Sequence, residues 1–98
     1  MKVDMIKEQV REWLLGEHEA RGLDLDSIDH IIDCLYGIVR WYNDGVPTGD
    51  FLNAILRNDF MEACGIADNT NAKVLPVYAK FLYNCLPLDY LQRVKNEK

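Results

Sequence analysis

The sequence predicts an all-α protein, a compact single-domain bundle of four or five helices over residues 1–98. Three observations predict it. Apolar residues recur at three- and four-residue steps in several segments. No segment alternates apolar and polar residues between turn signals, as a strand would. Capping and stop residues punctuate the chain at helix-length intervals.

The first helix is expected from a cap at Asp4 to about Arg21, with Ile6, Val10, Trp13 and Leu14 near one face. Gly16 weakens its middle and Gly22 ends it. Asp26 or Ser27 then caps a second helix over about 28–42. Ile28, Ile31, Leu35, Ile38 and Tyr42 give that helix the clearest stripe, and Ile32 and Val39 widen it. A stripe that wide marks a central helix rather than a thin coiled-coil seam. Gly37 leaves room for a close neighbour.

The run from Tyr42 to Asn71 concentrates polar and turn-forming residues. Gly45 can take a left-handed conformation and stop the second helix. Val46-Pro47 keeps the chain extended. Thr48 is the expected cap of a third helix that carries Phe51, Leu52, Ile55 and Leu56, with Asp50 in its first turn. Asn58-Asp59 caps a short helix to Cys64, ended by Gly65. Asp68, Asn69 and Thr70 are three candidate caps for a helix over about 70–84. Pro76 either bends that helix or, if the helix begins later, sits in its first turn. Leu86-Pro87 stops it. One or two turns follow over 89–94, and a mobile tail is expected over 94–98. The second helix and the 70–84 helix are the expected core pair.

Composition narrows the function classes. The 98 residues are 49% hydrophobic and 28% charged, as in a soluble globular domain. A formal charge of −5 argues against direct nucleic-acid binding, which needs clustered cations. No apolar run reaches membrane-spanning length, and the charged N-terminus has no signal-peptide core. Three widely spaced cysteines fit a reduced, cytoplasmic protein with small buried thiols. His30 and Cys34 are four apart but lack the further ligands of a zinc site, so no metal is expected. No spacing assembles a base, a nucleophile and a charge stabiliser. The expectation is therefore no enzyme, no catalytic residue and no cofactor.

The candidate site draws on the polar run. Thr48-Gly49-Asp50 could form an anion-binding corner with Arg40 or Arg57 near it. Trp41 falls off the buried stripe and could stack on a base. Arg57 and Asn58 turn away from the apolar face, and Asn71 can reach back toward the loop. The ligand-binding candidates are Trp41, Tyr42, Thr48, Gly49, Arg57, Asn58 and Asn71.

The run Gly45-Val46-Pro47-Thr48-Gly49-Asp50-Phe51-Leu52-Asn53-Ala54-Ile55-Leu56, with Asn58-Asp59, Ala63, Gly65, Ala67-Asp68, Asn71 and Tyr83-Asn84, resembles a family of small uncharacterised proteins of bacteriophages and prophages. The likeness runs from Trp41 to Pro87, and Gly-x-Pro-Thr-Gly-x-Phe-Leu is its most specific piece. Members often carry arginine where Ile66 stands. The resemblance implies a phage accessory protein in the host cytoplasm, a class that often antagonises host defence. On that basis the expected partner is a nucleotide-like second messenger of host immunity, captured without catalysis. The alternatives are an anti-CRISPR-type inhibitor docking on a host defence protein and a phage transcription regulator. A homo-oligomer stays open.

Overall fold

The computed structural model describes residues 2–87 and 89–95. Among them the chain is all-α, with seven α-helices and one 3-10 turn. It is compact, with a radius of gyration of 12.7 Å.

The helix α1 (Lys7–Leu15) is shorter at both ends than its sequence pattern. Asp4 does not cap it. The start follows Ile6, whose N–H is accepted by the Gln9 side chain at 2.9 Å. Gly16 ends it, where a residue without a side chain gains least from helix. A 3-10 turn, His18–Ala20, then leads to Gly22, whose φ of 84° makes the left-handed turn into the next element.

The helix α2 (Leu25–Asp44) is capped by Asp24, whose carboxylate accepts the Ser27 N–H at 2.7 Å. The cap thus lies two or three residues ahead of the expected Asp26 or Ser27. The stripe from Ile28 to Tyr42 is buried as expected. Gly45 takes φ 72° and ends the helix, its N–H bonding to the Trp41 carbonyl. Asn43 exchanges two hydrogen bonds with the Val3 main chain, at 2.7 and 2.8 Å, and so pins the N-terminal segment to the end of α2.

Two short helices follow, α3 (Asp50–Leu56) and α4 (Phe60–Ile66). Asp59 caps α4, and the helix runs past Gly65 to Ile66, so Gly65 is not its stop. The expected 70–84 helix is divided. A single turn, α5 (Asn69–Ala72), is capped by Asp68, and α6 (Leu75–Cys85) starts afresh with Pro76 in its first turn. Proline there costs no hydrogen bond, because first-turn N–H groups have no helical acceptor. The helix α7 (Tyr90–Lys95) includes positions 94 and 95 of the expected tail, while 96–98 lie outside the described residues.

The core joins α2 and α6 through Leu35, Ile38, Tyr78 and Phe81, with Val10 and Leu14 of α1. Edge-to-face ring pairs clamp the flanks. Trp13 of α1 meets Phe81 at 5.1 Å, and Phe51 of α3 meets Tyr78 at 5.3 Å. Such pairs add about 0.5–1.5 kcal/mol each beyond the area they bury. Lys80 ties α6 to the 3-10 turn through Glu19 at 2.8 Å and to Glu17 at 3.4 Å. Among the described residues no helix is long and apolar enough to cross a membrane.

Candidate functional site

Of the seven candidate residues, Trp41, Tyr42 and Asn71 are buried and the other four lie along the segment from 48 to 58. Arg57 and Thr48 sit at opposite ends of α3, a seven-residue helix roughly 10 Å long at 1.5 Å per residue. Each of the seven has a local structural explanation.

Thr48 is not the cap of α3. Gly49 occupies that position without a side-chain bond, and the Thr48 hydroxyl instead donates to the Asn53 side chain. The Arg57 guanidinium donates to the Asn53 carbonyl of its own helix at 3.2 Å. Asn58 takes φ 60°. Its N–H bonds to the Ile55 carbonyl, and the Asp59 N–H bonds to the Ala54 carbonyl at 2.8 Å. These two bonds form a Schellman closure, and Asn58 fills the left-handed position that usually takes glycine. The turn it makes sends α4 back against α3.

Trp41 and Tyr42 are buried, at 2% and 0% exposure. Adjacent helix positions point about 100° apart, so the end of α2 is enclosed over a wide arc. That enclosure is why Trp41, off the stripe, offers no open face for stacking. The Tyr42 hydroxyl donates to the Asp89 carboxylate, and the Arg93 guanidinium lies 4.0 Å from the Tyr42 ring centre. Arg93 also donates to the Tyr42 carbonyl, so α7 is fastened to the end of α2. Burial, then the Asp89 carboxylate, pushes the Tyr42 phenol above its ordinary range.

Asn71 is 3% exposed and joins three helices. It accepts a hydrogen bond from the Tyr78 hydroxyl. Its amide nitrogen lies 3.5 Å from His30 Nε2 and 4.0 Å from Cys34 Sγ. His30 in turn meets the Asp68 carboxylate at 2.8 Å. The Asn71 N–H, burial and His30 act together on Asp68, and the hydrogen bond wins: the carboxyl is held below its usual range. Burial pushes the Cys34 thiol up, which disfavours a reactive thiolate. Cys64, by contrast with the buried thiol expected of it, is exposed. No group of three metal-ligating side chains gathers among the described residues. No buried side-chain nitrogen or oxygen there lacks a partner.

A hollow lies elsewhere. A groove of about 500 Å³ is lined by α3 and α4 on one side and α6 on the other. Ala54, Ile55, Phe60 and Ala63 form the first wall. Leu75, Pro76, Ala79, Leu82 and Tyr83 form the second, with Ala72 and Tyr90 completing the lining. Among the described residues, Asn58 and Asp59 are its polar members, and no lysine or arginine belongs to the lining. Of the seven candidates only Asn58 reaches it. Phe60 and Tyr83 stand at 68% and 82% exposure, and Met61, beside Phe60, at 85%. Pro76, Ala79 and Tyr83 share one face of α6, opposite the Tyr78 face, but helical period alone does not show that this face is left open.

Comparison with known protein families, curated proteins and solved structures finds no match to this chain.

Proposed function

We propose that the chain is a non-catalytic binding protein and that the groove between α3–α4 and α6 is its working surface. The observation that carries this is the pair of exposed aromatic rings, Phe60 and Tyr83, on an apolar hollow of about 500 Å³. Large apolar groups left in water beside a preformed hollow mark binding sites more often than chance. Aromatic side chains also supply much contact area for little lost conformational freedom.

A protein partner fits this lining better than a nucleotide. Phosphate binding calls for cations or unpaired N–H groups, and the charged member of the lining is an acid, Asp59. The phage-family resemblance directs the search to host defence proteins, with the chain as an inhibitor that docks on one of them. The capture of a nucleotide second messenger has weaker support, since the residues expected to hold it are dispersed or buried.

The test is Phe60→Ser with Tyr83→Ser, assayed for antagonism of bacterial defence systems during phage infection. Helicity and the denaturation midpoint should stay near those of the unaltered chain, with antagonism lost. Full antagonism by the double variant would remove the groove from the function. No antagonism by the unaltered chain would remove the counter-defence role.

A further inference from the structure

We infer that α7 is a releasable strap, seated on Tyr42 of α2, that completes the groove lining when it is closed. Three contacts converge on that seat. The Tyr42 hydroxyl donates to Asp89, the Arg93 guanidinium lies 4.0 Å from the centre of the ring, and the same guanidinium donates to the Tyr42 carbonyl. Tyr90, the residue after Asp89, belongs to the groove lining. Tyr90 and Val94 are four apart and so share a face, and both pack part-buried against the core.

The helix is built to come away as a unit. Six residues are too few to hold a helix in water by themselves, so α7 owes its order to its docking. No side chain from Tyr90 to Val94 is fully buried, and Leu91 stands 45% exposed. Leu35, Ile38, Tyr78 and Phe81, which join α2 to α6, are all at 0%. Leu86, buried at 6%, anchors the end of α6, and Pro87 after it cannot continue that helix. Opening from there releases the contacts of α7 and leaves the Trp13–Phe81 and Phe51–Tyr78 ring pairs in place. An element so lightly buried opens at a lower free energy than the whole chain unfolds.

Release withdraws Tyr90 from the hollow, so the groove has one shape for each position of the strap. The end of α2 and the groove are thereby coupled. An occupant that packs on Tyr90 favours the closed strap, and loosening the Tyr42 seat weakens such an occupant by the same free energy. The strap stands or falls apart from the docking reading, because its opening is read on the chain alone.

Native-state hydrogen exchange on the full chain, followed residue by residue by NMR, tests this. The hydrogen-bonded amides of α7, that of Gln92 among them, should be protected yet exchange about tenfold or more faster than the slowest amides of α2 and α6. Arg93→Ala removes the ring and carbonyl contacts and should speed the α7 amides by a further factor of about ten, with α2 and α6 unaffected. Tyr42→Phe, which removes only the bond to Asp89, should speed the same amides and no others. Arg93→Pro also removes the Arg93 N–H bond to the Asp89 carbonyl and should release the strap outright. In that variant α2 and α6 should stay protected, the methyl resonances of the groove lining should move, and those of Val10 and Leu14 on α1 should not. Exchange of α7 at the rate of α2 and α6, or no protection of α7 at all, overturns the strap. So does Arg93→Ala that speeds all three helices alike, or Arg93→Pro that unfolds the chain. Lining methyls that stay in place when α7 is released overturn the coupling to the groove.

Discussion

The two faces of α6 follow opposite rules. On one, Tyr78 donates to Asn71, which reaches His30 and Cys34 of α2, and every buried polar group described there has a partner. On the other, Pro76, Ala79 and Tyr83 border a hollow that no described residue fills. The closed face holds α5 and α6 to α2. The open face contributes little to holding the chain together. Polar residues singled out in the sequence therefore have partners within the fold, and apolar residues of core-like period border the groove. Substitutions on the closed face should cost stability, and those on the open face should cost binding.

The largest expected effect is Asn71→Ala. It leaves the buried Tyr78 hydroxyl without its acceptor, at a cost of about 1–3 kcal/mol. Urea denaturation should show a lower midpoint at unchanged slope. Adding Tyr78→Phe removes the orphaned hydroxyl, so the double variant should lose less than the sum of the two single losses. Strict additivity would mean that the two groups do not act on each other.

Asn58 comes next, because it belongs to both regions. Its backbone closes α3, and its side chain borders the groove. Asn58→Val puts a β-branched side chain at φ 60° and should cost roughly 1–2 kcal/mol. Asn58→Gly keeps the conformation accessible and should be close to neutral. Equal losses in the two would move the role of Asn58 from its backbone to its amide.

These particulars explain what the sequence made legible. Buried stripes and strong punctuation were readable: the Ile28–Tyr42 face, the Gly45 stop, and Asp68 as one of three candidate caps. The cap of α2 was not, since Asp24, Asp26 and Ser27 all accept backbone N–H groups and the choice depends on where α1 delivers the chain. Asn58 was read as a cap for the next helix, while its left-handed turn ends the previous one. The groove was hidden because Leu75, Ala79 and Leu82 carry the same helical period as a core. Periodicity marks an apolar face without telling whether another element covers it.

A smaller effect is expected from acid. The Asp68 carboxyl is held below its usual range, first by the Asn71 N–H and also by His30. Its folded value is depressed, so its contribution is present above the usual carboxylate range and is lost as pH falls through the lower folded value. The carboxylate is half exposed, and solvent screening keeps the contribution modest. Asp68→Asn should flatten the acid limb of the stability–pH curve relative to the unaltered chain. An identical acid limb would place the acid sensitivity in other carboxylates.

The smallest expected effect separates the two faces most cleanly. Arg57 was, with Arg40, a phosphate candidate in the sequence, because its planar fork can hold two oxygens. It stands exposed at the end of α3, donates to a carbonyl of its own helix, and lies outside the groove lining. An exposed side chain with one local hydrogen bond contributes little, so Arg57→Ala should change stability by no more than about 0.5 kcal/mol. Its effect on binding then discriminates between partners. An anionic partner held by this arginine would be lost with it. A partner seated on the apolar groove would be kept, because Arg57 is not part of its lining. Comparing Arg57→Ala with the unaltered chain for antagonism of bacterial defence during phage infection reads the difference directly. Lost antagonism at unchanged stability would return the arginine to the site.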